Sequence, residues 1–169
     1  MVKNQTAHTV QKYYVCELCF HGGDKVKIST KGRYGLRIMI DLAVMGQGDE
    51  PVSIKDIAEK EQLSDKYLEQ IINLLGKKEL VKSIRGAKGG YLLTRPMEEI
   101  TVEDILIATE GSLAPVACAE DNEKCDKYCD CATSIIWSEI YEAVVSVVRN
   151  ITLKDLTERT QSSSGGKCI

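Results

Sequence analysis

The stretch Ser53-Ile54-Lys55-Asp56-Ile57-Ala58-Glu59-Lys60-Glu61-Gln62-Leu63-Ser64-Asp65-Lys66-Tyr67-Leu68-Glu69-Gln70-Ile71-Ile72 decides the fold. Ser53 with Asp56 three residues on resembles a capping box, Asp standing in for Glu. It opens a short helix with Ile54, Ile57 and Ala58 on one face. Gln62-Leu63 is a tight break, and Ser64 caps the next helix. That helix puts Tyr67, Leu68, Ile71, Ile72, Leu74 and Leu75 inside. Two short capped helices a few residues apart form a helix-turn-helix signature.

The residues immediately C-terminal strengthen that signature. Leu80 to Ile84 reads as a strand, Arg85-Gly86-Ala87-Lys88-Gly89-Gly90 as a basic, glycine-rich turn, and Tyr91-Leu92-Leu93 as a second strand. A basic hairpin directly after a helix-turn-helix is a wing. Its glycines permit φ > 0 at the tip and let the backbone approach phosphates. A nucleotide phosphate loop is the competing interpretation, and it fails for want of a Gly-Lys-Ser/Thr step opening a helix. The expected fold class is mainly α with a small β wing: a winged helix-turn-helix plus a long C-terminal dimerisation helix.

Outward from this centre, Ser29 or Thr30 caps an earlier helix in which Leu36, Met39, Ile40 and Ala43 recur, with Leu42 and Val44 beside them. Gly46-Gln47-Gly48-Asp49 ends it. Downstream, Thr101-Val102-Glu103-Asp104 is a second capping box, opening a helix through Ile105, Leu106 and Ala108 that stops at Gly111. Residues 112–131 read as a loop. Ala132 to Asn150 reads as a long amphipathic helix carrying Ile135, Ile136, Ile140, Val144, Val147 and Val148. Little chain remains to cover that stripe, which points to a dimer seam; packing on the first helix is the alternative. Thr152 to Leu156 suggests one more helical turn. The expected organisation is an arm (1–25), a winged-helix domain (26–111), a cysteine-rich loop (112–131), a dimerisation helix with a terminal turn (132–160) and a disordered tail (161–169).

The 169 residues are 43% hydrophobic and 28% charged, the balance of a soluble globular chain. No run approaches the ~20 apolar residues of a membrane span, and the N-terminal stretch lacks an apolar signal core. A cytoplasmic protein is expected. The net charge of −3 is unevenly spread: residues 100–169 carry 6 basic and 12 acidic groups. Lys27, Lys31, Arg33 and Arg37 stand together without an acid. Lys77 to Arg95 holds six basic residues against Glu79 alone. These clusters can form a positive face on an acidic protein.

Four of the seven cysteines crowd into one loop: Cys118, Cys125, Cys129 and Cys131. In a reducing compartment such density suits soft-metal ligation, an iron–sulfur cluster or zinc, better than disulfides. The spacing is not that of a zinc ribbon. Cys16-Glu17-Leu18-Cys19 with His21 looks like half a zinc knuckle without its second half, and Cys168 sits in the tail. The two histidines, His8 and His21, lie in the arm and leave little acid–base equipment, so no enzyme is expected.

Lys27-Ile28-Ser29-Thr30-Lys31-Gly32-Arg33-Tyr34-Gly35-Leu36 resembles the opening of the Rrf2 superfamily of bacterial winged-helix regulators, which includes iron–sulfur cluster, cysteine-metabolism and nitric-oxide-sensing types. Tyr67-Leu68-Glu69-Gln70 and Arg85-Gly86-x-x-Gly89-Gly90-Tyr91 match two further motifs, and the resemblance spans about residues 26–158. It implies a homodimer on a double-stranded DNA operator, with the second helix of the motif in the major groove and the wing in the minor groove. By position, Lys66, Glu69 and Gln70 fall where the family reads bases, and Arg85 at the wing arginine. Gln pairs with adenine, Glu accepts from cytosine, and Arg suits a narrow minor groove. Lys31, Arg33, Tyr34 and Lys88 become phosphate contacts, with Tyr67 and Gly86 on the same surface and Leu68 in the core.

The resemblance also implies three cluster ligands before the long helix, matched by Cys118, Cys125 and Cys131. The family's cluster regulators often carry a histidine three residues later, where this chain has Ser134. That departure leaves the fourth ligand of the expected cluster open between Cys129, the best substitute, Ser134 and an outside ligand; [2Fe–2S] is expected before [4Fe–4S]. Family chains usually begin with Met near Val26, so residues 1–25 are either absent from the native protein or a real extension. The expected function is a DNA-binding regulator of repressor type, switched by the cluster. Two alternatives stand beside it: a cluster-free regulator sensing through cysteine oxidation or a partner enzyme, and a redox protein that happens to carry a winged helix.

Overall fold

A computed structural model of the chain describes residues 28–47, 50–86, 88–121 and 128–163. The expectations for residues 1–25, for Cys125 and for Cys168 lie outside these residues. The elements run α1 (Thr30–Met45), α2 (Ile54–Glu61), α3 (Asp65–Lys77), β1 (Val81–Ile84), β2 (Gly90–Leu93), α4 (Val102–Glu110), α5 (Ala117–Glu120), α6 (Ser134–Arg149) and α7 (Leu153–Ser163). Short 3-10 turns cover Met97–Glu99 and Tyr128–Asp130.

Side-chain caps set the helix starts. Ser29 accepts from the Lys31 and Gly32 amides, Ser53 from Lys55, and Ser64 from Tyr67. At Thr101 both halves of a capping box form with Asp104. At Ser53 the Asp56 half is missing and only the serine caps. Gln62, at the end of α2, takes φ 54°, which makes the break between α2 and α3 tight. The wing pairs Val81 with Leu93 and Ser83 with Tyr91 in an antiparallel register. A third segment joins on the other edge of β2 at Val52, whose amide and carbonyl bond Tyr91 at 2.9 and 2.8 Å. Gly90 makes this approach possible, since a Cβ there would collide with the Val52 carbonyl.

The core is one cluster: Ile38, Met39, Leu42, Ile57, Leu68, Ile71, Leu75, Leu80, Ile100, Ile105 and Leu153 are all buried within it. On α1 Ile38, which the spacing does not single out, is fully buried, while Val44 stands at the surface. Glu110 closes the start of α1 onto the end of α4, accepting from the Ser29 amide (3.1 Å) and hydroxyl (2.7 Å).

Three expectations are corrected downstream. The 112–131 segment is not all loop but includes α5 and the Tyr128–Asp130 turn. The long helix begins at Ser134 rather than Ala132. The terminal turn is a full helix reaching Ser163, so Gln161 and Ser162 are helical and not tail. A Thr152–Asp155 capping exchange starts α7, and the Leu153 amide bonds the Ile100 carbonyl at 2.8 Å. This seats Leu153 in the winged-helix core. The long helix α6 packs on α4 and α5 rather than on α1, and the Arg149 guanidinium grips Glu103 with two 2.8 Å bonds.

Candidate nucleic-acid interface and cysteine loop

The sequence of α3 divides its surface cleanly. Leu68, Ile71, Ile72 and Leu75 face the core, leaving Lys66, Glu69 and Gln70 exposed within one turn of each other, followed by Asn73. Tyr67 lies between the two faces, half-buried, its ring edge-on to Tyr34 at 6.1 Å and 88°. The guanidinium groups of Arg33 and Arg37 sit 6.0 and 5.6 Å from the Tyr34 ring centre. A basic–aromatic cluster thus joins the start of α1 to the start of α3. Lys31 and Arg33 are exposed there. Arg37 was legible only as a member of a basic run; the fold pairs it with Glu61 on α2.

At the wing, Arg85, Gly86 and Lys88 are all exposed. Gly86 has φ 129°, a conformation that favours glycine, and the Gly89 amide bonds its carbonyl at 2.9 Å. The side chains of Arg85 and Lys88 make no hydrogen bond or ion pair to another described residue, and so remain available to an external anion. The basic run from Lys77 to Arg95 is split by strand alternation. Ser83 and Tyr91 share the face that continues from buried Val81 and Leu93, whereas Lys82 projects to the other face. There Lys78, Lys82 and Arg95 border an open cleft of about 710 Å³ together with Glu79.

A buried acidic pair lies between α1 and α2 at the base of this domain. Asp41 on α1 and Glu61 on α2 are almost wholly buried, ion-paired with Lys60 and Arg37 respectively. Asp41 Oδ2 is buried without a hydrogen-bond donor, whereas the Glu61 Oε2 is the oxygen that meets Arg37 Nε. Burial, and next the neighbouring Asp41 charge, hold the Glu61 carboxyl above the ordinary carboxylate range. Sequence reasoning gave no sign of this pair, because burial of an acid is a tertiary fact.

Of the expected cluster ligands, Cys118 lies on α5 and is half-buried, Cys129 is exposed, and Cys131 is half-buried just before α6. Cys131 Sγ lies 3.2 Å from Thr133 Oγ1, and hydrogen bonding with Thr133 holds its thiol below the usual range. This favours the thiolate that a soft metal takes. Ser134 is different: its hydroxyl is part-buried and donates to the Cys131 carbonyl at 2.8 Å. Among the described residues no three His, Cys, Asp or Glu side chains converge on one centre. The donor chemistry suits an iron–sulfur cluster, while the assembled ligand set would require Cys125.

No helix among the described residues is long and apolar enough to cross a membrane. The winged-helix architecture recurs in solved structures. CymR (YrzC), named the global cysteine regulator of B. subtilis, has 45% identity and a TM-score of 0.65, over 79% of this chain and 97% of that one. IscR from T. potens has 39% identity and a TM-score of 0.66, over 84% and 93%. By sequence, the chain is 42% identical to protein rrf2 of Nitratidesulfovibrio vulgaris over 78% of its length and 87% of that protein. It is 37% identical to the HTH-type transcriptional regulator IscR of Yersinia enterocolitica over 78% of its length and 79% of that protein. A family profile described as an iron-dependent transcriptional regulator matches residues 28–159. The chain belongs to the Rrf2 family of transcriptional regulators.

Proposed function

We propose that this chain is a homodimeric, cytoplasmic repressor that binds an operator through α3 and the wing and is switched by an iron–sulfur cluster. The observation that carries the DNA-binding part is the α3 surface: Lys66, Glu69 and Gln70 are exposed and polar, backed by a fully buried face, beside a wing whose Arg85 and Lys88 have no partner within the described chain. Gln70 and Glu69 carry base-edge recognition in the major groove, Lys66 joins them, and Arg85 enters the minor groove. Lys31, Arg33, Tyr34 and Lys88 hold phosphates, and Tyr67 orients Tyr34. Exposed Ile136 and Val147 on α6 form the seam of a twofold dimer, which suits half-sites one helical turn, about 34–36 Å, apart.

Cys118, Cys125 and Cys131 would hold the cluster, [2Fe–2S] in the favoured case. Cys129 is the better fourth ligand, because the Ser134 hydroxyl is engaged by the Cys131 carbonyl. Such a cluster supplies a redox-active, oxidant-labile centre. The chain's own part is transmission: the segment that carries Cys131 runs straight into α6, so holding a cluster there biases how two reading heads sit. Direct thiol sensing is the second possibility, favoured by the lowered Cys131 thiol and by relatives that include CymR, one of them solved in an oxidized form.

The test is the visible spectrum, with iron and sulfide content, of protein purified without oxygen, paired with DNA binding before and after iron removal. Bands between about 400 and 600 nm, lost in C118S/C125S/C131S together with a change in DNA affinity, are expected. A colourless protein whose affinity follows a dithiol–disulfide step would establish the thiol mechanism instead. Stoichiometric iron and sulfide in the triple variant would overturn the ligand assignment.

A further inference from the structure

Between the C-terminal half of α3 and the inner face of the wing lies a cleft of about 540 Å³. Ile72 and Val81 floor it. Its polar lining is Asn73 and Lys77 from α3, Ser83 from β1 and Tyr91 from β2. No carboxylate lines it, whereas the clefts on the other side of the wing include Glu79 or Glu98. All four polar side chains can donate a hydrogen bond. None of them bonds another described residue. Four unpartnered donors around one cleft, one of them cationic and none opposed by an acid, make a receptor for an anion.

We propose that this cleft seats a phosphate of the DNA backbone, held by Lys77 and Asn73 on one wall and by Ser83 and Tyr91 on the other. The inference rests on the DNA-binding function proposed above and adds four contacts to it. Its logic is geometric. The major and minor grooves of a duplex are separated by a single sugar–phosphate strand. A head that places α3 in one groove and Arg85 in the next must straddle that strand, and the cleft is the space between α3 and the wing. Lys77 neutralises one charge of the phosphate while the neutral donors fix its oxygens. A free inorganic phosphate has the same chemistry and is the alternative source of the anion.

The experiment compares Lys77→Gln, Ser83→Ala and Tyr91→Phe in the full chain, with Lys154→Gln on α7 as a charge-loss control off this face. Affinity is measured for a duplex enriched from a random library and for an arbitrary duplex, across a salt series. K77Q is expected to weaken both by about the same factor, roughly tenfold, and to lower the log–log salt slope by about 1. S83A and Y91F are expected to weaken both several-fold with the slope unchanged, since each removes a neutral hydroxyl. Melting temperatures near wild type exclude misfolding, and Y91F keeps its ring. If the three variants match K154Q while Gln70→Ala still impairs the enriched duplex, the seat is wrong and the DNA-binding function stands. If wild type binds neither duplex, both fall. If millimolar phosphate shifts the NMR signals of Ser83 and Tyr91 while K77Q leaves duplex binding intact, the cleft is a small-anion site and the backbone seat is overturned.

Discussion

Truncating the exposed stripe of α6 should dissociate the dimer by a calculable amount. Ile136 and Val147 are three helical turns apart and lie on one face of α6. They are 53% and 60% exposed in the isolated chain. Moving a Val or Ile side chain fully out of water is worth about 1.5–3 kcal/mol, so covering the exposed part recovers about 1–1.5 kcal/mol each. Twofold symmetry buries each residue twice. The I136A/V147A double variant should therefore lose about 4 kcal/mol of association, roughly a thousandfold in dimer Kd. Sedimentation over a wide concentration range reads this directly. Circular dichroism of the dilute variant should remain helical, because neither side chain belongs to the buried core. A Kd within threefold of wild type would refute the seam and return α6 to a role in packing on α4 and α5.

The interior yields three further expected outcomes. Glu61→Gln should raise stability at pH 7: wild-type Glu61 is held above the ordinary carboxyl value of 4.5 by burial and by Asp41, so its fold-favoured form is protonated below that value and its contribution is lost as pH rises through the raised folded value. The gap between E61Q and wild type in chemical denaturation should close as pH falls towards 4.5; a gap independent of pH would contradict it. Gly35→Ala should destabilise by about 1–3 kcal/mol in thermal melting, because its Cβ would sit 2.7 Å from Thr109 Cγ2; Thr109 cannot yield, its hydroxyl being bonded to the Ile105 and Leu106 carbonyls, and an unchanged melting point would show that α1 and α4 separate freely. Leu153→Ala should lose about 2–5 kcal/mol in urea unfolding, since the side chain is fully buried although it belongs to the C-terminal helix; a loss under 1 kcal/mol would mean that α7 is not part of the core.

Much of the head was legible because its signals are local. Ser53, Ser64 and Thr101 cap helices where a short polar residue precedes an apolar period, and Arg85 to Gly90 turns where glycines permit it. The Val52 bridge was invisible, because it is a backbone pairing that only the close approach at Gly90 allows. The length of α7 was missed because Leu153 and Leu156 are its main apolar residues and its other positions are polar. Base-reading candidates on α3 could be named because burial of Leu68 and Ile71 dictates what is left outside. The cleft residues Asn73, Ser83 and Tyr91 could not, since nothing local places a helix end opposite a strand face. The expectation of soft-metal ligation rested on cysteine composition alone, while the bond from the Ser134 hydroxyl to the Cys131 carbonyl depends on how the last turn before α6 closes.

The most direct test is the ratio of affinities for the enriched and the arbitrary duplex, at one salt concentration, in wild type and Gln70→Ala. If α3 reads bases, Gln70→Ala should lower affinity for the enriched duplex by about 1–3 kcal/mol and leave the arbitrary duplex nearly unchanged, so the ratio falls by roughly 5- to 150-fold. An unchanged ratio would contradict α3 as the reading helix.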